Sequence, residues 1–216
     1  MILCRHELYA GYYKFDEKRR SLTKRFGNKM RYIGEKEISL SGSLLVAHPA
    51  LIEPNFNKAV VLISLHTSGD GAMGVVINRP LGKSLGEHKK DFAFSSLSDI
   101  PLYEGGPVNK EQMILIAWKM DRECKDFKIY FGINPEKAEA MRQDEPNLVL
   151  RGFLGHAGWD KGQIEGEVKQ NAWIVSPIDG GIILKDDGKM LWQNILVRSN
   201  PELRFLADAP EDPSVN

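Results

Sequence analysis

Five histidines, His6, His48, His66, His88 and His156, are the first residues to weigh for chemistry, because imidazole titrates near neutral pH and ligates metals. No two stand at the i, i+4 spacing of a helical zinc motif and none accompanies a C-x-x-C pair, so the sequence predicts no metal site. A site could arise only by gathering His48, His66 and His156 from neighbouring strands. Nucleophilic catalysis would draw on Ser41, Ser43 or Ser64, but no G-x-S-x-G elbow surrounds them. Cys124 lies in Arg122-Glu123-Cys124-Lys125, where cations could lower a thiol pKa; the other reading is an ordinary surface thiol. Phosphate binding would need a glycine-rich turn from strand to helix. Thr67 to Gly71 joins two strands instead, and Gly105-Gly106-Pro107 has neither the G-x-G-x-x-G nor the P-loop spacing. What remains is a grouping at the ends of strands, where binding groups gather. The candidate binding surface is accordingly His66, Asn78, Arg79, Glu104, Gly105, Gly106, His156 and Trp159, with turn formation as the alternative. No catalytic residue and no cofactor is expected.

The elements that must position these residues centre on Ser43 to Pro80. Three apolar runs, Leu44 to Ala47, Val60 to Leu65 and Val75 to Ile77, are continuous rather than alternating, which predicts strands covered on both faces. Val60 to Leu65 and Met73 to Asn78 flank Thr67-Ser68-Gly69-Asp70-Gly71, the pattern of an antiparallel hairpin with a loop of about five residues. Gly74 inside the second strand predicts a bulge or a close backbone approach. Downstream, a short helix is expected around Ser84 to Lys90, and strands over Met113 to Trp118, Phe127 to Phe131, Leu148 to Leu154 and Ala172 to Val175. Asn134-Pro135-Glu136 is a helix start: an N-cap, a proline at the first helical position and an acid facing the positive helix end. Gly155 to Trp159 reads as a loop leading to a helix over Gly162 to Gln170. A last helix covers Met190 to Val197, and no internal repeat is visible.

Composition narrows the function classes. The 216 residues suit one domain, and 42% hydrophobic with 27% charged content suffices for a sizeable core. Lys+Arg and Asp+Glu are both 29, so the whole-chain charge gives no support to nucleic-acid binding. Charge is uneven, however: Lys14 to Arg31 holds eight basic residues against Asp16 and Glu17. We therefore read 1–40 as a basic, aromatic arm, 41–207 as one domain, and 208–216 as a disordered acidic tail. Direct nucleic-acid contact would have to use residues 14–31 and would not be specific. Cys4 and Cys124 make no disulfide framework, no run approaches the roughly 20 apolar residues of a membrane span, and no signal peptide is seen, which together predict a cytoplasmic protein.

Five ordered blocks resemble the AlgH or YqgE proteins of bacteria: LLVAHPALIEPNFNKAVVLISLH, GAMGVVINRPL, YEGGPV, FLGHAGWDKGQIEGEV and NAWIV, spread over about Gly42 to Pro177. The resemblance implies an α+β domain whose bent, largely antiparallel sheet closes into a pseudo-barrel with helices packed outside. It implies no reaction, cofactor or catalytic residue; the family is classed as uncharacterised or as transcriptional regulators. It marks His66, Gly71, Met73, Gly74, Asn78, Pro80, Gly105, Gly106, Pro107, Gly158, Trp159, Gly162, Gln163, Glu165, Asn171 and Trp173 as motif positions. This chain departs from that pattern with Ser64 in place of cysteine, Gln112 in place of arginine and His156 in place of tyrosine. The arm before Gly42 is also longer than the family core requires.

Two functions stay open at this point. One is a non-enzymatic regulatory or interaction protein with an unknown protein or small-molecule partner. The other is a small-molecule binder or enzyme using a pocket near Asn78, Arg79, Glu104 and His156. Trp173 is expected in the core beneath the helix that carries Ile164 and Val168, whereas Trp159 stands either there or on a binding surface.

Overall fold

The computed structural model describes residues 12–13, 39–67, 69–120 and 127–207. The basic stretch 14–31, His6, both cysteines and the tail 208–216 lie outside the described residues. Ten strands form the sheet: β1 (Tyr12–Tyr13), β2 (Ser43–Ala47), β3 (Val60–Thr67), β4 (Gly71–Val76), β5 (Pro80–Ser84), β6 (Pro101–Glu104), β7 (Val108–Met120), β8 (Phe127–Ile133), β9 (Val149–Trp159) and β10 (Trp173–Pro177). Their main order is β1-β8-β7-β9-β4-β3-β2-β10, with β6 paired to β9 and β5 to β6. All pairings are antiparallel except β6 with β9.

The expected α+β class is present, but the expected closure is not: β1 and β10 end the path among the described residues and share no ladder, so the sheet stays open. Its pivot is β9. Val149–Leu154 lies between β7 and β6, and beyond Gly155 the same strand changes partner, pairing Ala157, Gly158 and Trp159 with β4. Gly155 to Trp159 is thus strand rather than the expected loop, because β4 offers it an edge that no local signal announces. Gly105 and Gly106 let the turn after β6 press on it. A Cβ on Gly105 would stand 2.3 Å from the Gly155 carbonyl oxygen, and one on Gly106 2.3 Å from the backbone of His156, closer than any side chain tolerates.

Among the described residues six α-helices cover the sheet: α1 (Leu85–His88), α2 (Pro135–Asp144), α3 (Gln163–Lys169), α4 (Gly180–Lys185), α5 (Gly188–Ser199) and α6 (Arg204–Ala207). The start at Asn134 is realised by its predicted chemistry, Asn134 accepting from the Lys137 amide ahead of Pro135, and the short helix expected around Ser84 opens on a capping box between Ser84 and Glu87 that was not foreseen. Successive residues of β2 face opposite cores, as continuous apolar runs require. Leu44 and Val46 join Leu191, Trp192 and Leu196 of α5, while Leu45 and Ala47 join Ile164 of α3. A third core packs Leu85, Leu102, Leu115 and Ala138. The hairpin of β3 and β4 is tighter than expected, since Thr67 and Gly71, read as turn residues, pair with each other. The irregularity foreseen from Gly74 falls opposite it, between Ile63 and Leu65, and a Cβ at Gly74 would meet the Leu62 carbonyl at 2.5 Å.

Candidate functional site

The sequence-predicted residues separate into two groups. Asn78, Arg79, Glu104, Gly105, Gly106 and His156 gather where β4 runs into β5 and the end of β6 meets β9. The Glu104 amide donates to the Arg79 carbonyl at 2.9 Å, the Gly105 amide to Leu154 at 2.7 Å, and the Gly105 carbonyl accepts from Val76 at 2.8 Å. Asn78 is buried: its Oδ1 accepts from the Val60 amide at 2.8 Å, and its Nδ2 donates to the carbonyls of Lys58 at 2.9 Å and Gly188 at 3.1 Å. That one side chain ties the hairpin to the loop before β3 and to the start of α5. Arg79 donates to the carbonyls of Pro54 and Asn57 and stands 3.7 Å from Glu104, which also faces Lys110 at 3.4 Å. These ion pairs are solvent-facing and contribute little to stability. His156 is half-buried; burial holds its pKa below the ordinary imidazole value, and its Nδ1 is enclosed without a hydrogen-bond partner.

His66 and Trp159 belong to the other group, beneath α3. His66 Nδ1 accepts from the Leu40 amide at 2.9 Å, so the ring proton sits on Nε2 and is donated to Glu165 Oε1 at 2.9 Å. The imidazole thereby fastens the segment before β2 to α3. Two residues along, Glu167 Oε2 accepts from both indoles, Trp159 Nε1 at 2.8 Å and Trp173 Nε1 at 2.7 Å, while its Oε1 accepts from Gln163 at 2.8 Å. Phe56 completes the cluster, its ring centre 6.1 Å from Trp159 and 5.5 Å from Trp173. Both tryptophans are core, at 6% and 3% exposure. For Trp159 that settles the two positions left open by the sequence.

A third group was missed by sequence reading. Arg151, on β9 opposite Ile116, is only 7% exposed, and its guanidinium carbon lies 4.9 Å from the centre of the Tyr103 ring and 5.2 Å from that of Trp118. Nη2 donates to the Ile183 carbonyl of α4 at 3.3 Å, and Nη1 has no partner. Tyr103 donates to Asp187 Oδ2 at 2.5 Å; burial, then this bond, pushes the phenol well above its ordinary pKa. The available signal was an arginine interrupting the apolar run VLRGFL, which is costly to bury and therefore informative. Among the described residues no group of three or more His, Cys, Asp or Glu side chains is placed to hold a metal, and no helix is long and apolar enough to cross a membrane.

A family profile described as AlgH-like matches residues 44–204. The chain is 32% identical over 198 residues to a UPF0301 protein of Thermobifida fusca, spanning 83% of this chain and 96% of that one. It is 33% identical over 194 residues to UPF0301 protein SCO2948 of Streptomyces coelicolor, spanning 82% and 96%. Two solved structures share its fold. The AlgH protein of Pseudomonas aeruginosa superposes with a TM-score of 0.55 at 23% identity, covering 84% of this chain and all of that one. Protein DIP2367 of Corynebacterium diphtheriae does so with a TM-score of 0.60 at 20% identity, covering 82% and 95%.

Proposed function

The chain belongs to the AlgH-like family, and from that premise we propose that it is a cytoplasmic, non-enzymatic regulatory or interaction protein whose partner is another protein or a small molecule. The supporting observation is that four of the six side chains offered for binding, His66, Asn78, Arg79 and Trp159, are committed to holding the fold. Asn78 and the His66 ring use their polar atoms to join segments distant in sequence, the Trp159 indole is bonded to Glu167, and Arg79 grips two loop carbonyls. Side chains that the scaffold holds by these bonds would have to give them up, at a cost to the fold, before turning to a substrate. Nucleic-acid contact, where made, runs through the basic stretch 14–31, lacks sequence preference and weakens steeply with salt.

Complementation tests the reading. In a strain lacking this protein, Glu104→Gln and His156→Asn should restore the transcript profile as fully as the wild type, with melting curves showing that both variants fold. A folded variant that fails would favour the alternative, a small-molecule binder or enzyme near Asn78, Glu104 and His156. The observation on that side is the enclosed, unpartnered Nδ1 of His156.

A further inference from the structure

Buried arginines are ordinarily matched by a carboxylate, because leaving a guanidinium in an apolar interior without one costs several kcal/mol. Arg151 has no such match among the described residues. Its surroundings are two aromatic faces, Tyr103 and Trp118, and one carbonyl, that of Ile183. The nearest acid named by the hydrogen bonding is Asp187, whose Oδ2 accepts from Tyr103 and whose Oδ1 accepts from the Gly188 amide that opens α5. Beside the guanidinium a second donor stands idle. Trp118 is fully buried, and its Nε1 has no acceptor. Two buried N–H donors without a protein acceptor, on side chains whose guanidinium carbon and ring centre lie 5.2 Å apart, are rare in a folded core, where buried donors are almost always paired.

We propose that Arg151 and Trp118 form a binding site for a small oxyanion, the carboxylate or phosphate group of a metabolite, with Arg151 Nη1 and Trp118 Nε1 as donors. The aromatic rings of Tyr103, Trp118 and Phe153 supply the walls; Phe153 packs edge-on against Trp118 and tilted against Tyr103. The bond from Nη2 to Ile183 holds the arginine against α4, a helix of only six residues whose capping Asp179 precedes two glycines. The site is separate from the strand-end groups, and its existence does not depend on the regulatory reading.

Thermal melts of the full chain at matched ionic strength test it, with sodium phosphate, sodium citrate and sodium acetate each compared against sodium chloride. The expected result is a saturable rise in Tm with at least one oxyanion, reaching about 5 °C when the anion exceeds its Kd a hundredfold. That rise should vanish in Arg151→Met and weaken in Trp118→Phe, which keeps a ring but removes the N–H. A rise with phosphate alone assigns a phosphate ligand, and a rise with the carboxylates alone assigns a carboxylate. If chloride matches them all, if no anion raises Tm, or if Trp118→Phe responds like the wild type, the proposal is wrong. The last readout holds even where Arg151→Met fails to fold.

Discussion

The two ends of β9 carry opposite solutions to one problem, a charge set against aromatic rings. At Trp159 the charge is an anion: Glu167 takes two indole N–H bonds through one oxygen and the Gln163 amide through the other, so every donor aimed at it is answered. At Arg151 the charge is a cation between Tyr103 and Trp118, and two enclosed donors have no answer. Ring faces attract a cation through their quadrupole but accept no strong hydrogen bond, whereas indole edges are made to donate to a carboxylate. The first cluster is complete as folded. The second leaves Arg151 Nη1 and Trp118 Nε1 without a protein acceptor.

Breaking the completed cluster should have the largest effect. Trp173→Ala and Trp159→Ala should each lower stability by about 3–5 kcal/mol in urea unfolding, the range for large buried aromatics. Because the two share Glu167 and Phe56, the double variant should lose less than the sum. A loss under about 1 kcal/mol for Trp159→Ala would instead make its ring a recognition surface. Next comes Glu167→Ala, which strands two buried indole donors and should cost roughly 2–4 kcal/mol, each orphaned donor being worth about 1–3. Glu167→Gln keeps one acceptor oxygen and should fall between that variant and the wild type.

The contrast is sharpest at Arg151→Met. Removing an unmatched buried charge for a side chain of similar volume should be close to neutral, or stabilising by about 1–4 kcal/mol in anion-free buffer. A loss above about 3 kcal/mol would mean that Arg151 is as much part of a finished core as Glu167. The smallest effect belongs to His156. Burial lowers its pKa in the folded state, so the unfolded chain takes up the proton first; stability is whole above about pH 6.5 and declines as pH falls below it. His156→Gln should flatten that part of the stability profile while leaving the value at pH 8 nearly unchanged.

Local chemistry was plainly legible. Asn134 caps its helix as expected, α3 follows Gly162, and β2, β3 and β4 stand where the apolar runs put them. Legibility failed where an element borrows its structure from a distant edge. The short strands β5 and β6 have little apolar content and exist by pairing with each other and with β9. The segment Gly155 to Trp159 has the glycines of a loop and becomes strand because β4 and β7 receive it. The candidate surface divided for the same reason: His66 and Trp159 were drawn to α3, while Asn78 became the tie between Val60, Lys58 and Gly188.

The sequence by itself determined the hairpin at the centre of the fold and the helix starts, because these rest on apolar periodicity and on turn and cap chemistry within short stretches of chain, and five ordered blocks carried the resemblance that implied the family and the fold class. Only the tertiary structure decided that the sheet stays open, that Trp159 is core, and that Arg151 meets Tyr103, Trp118 and Ile183. Arg151 and those partners come from four elements, β9, β6, β7 and α4. Their meeting follows from strand register and from the fold-wide pairing of β9, and neither is encoded in any short stretch of the chain.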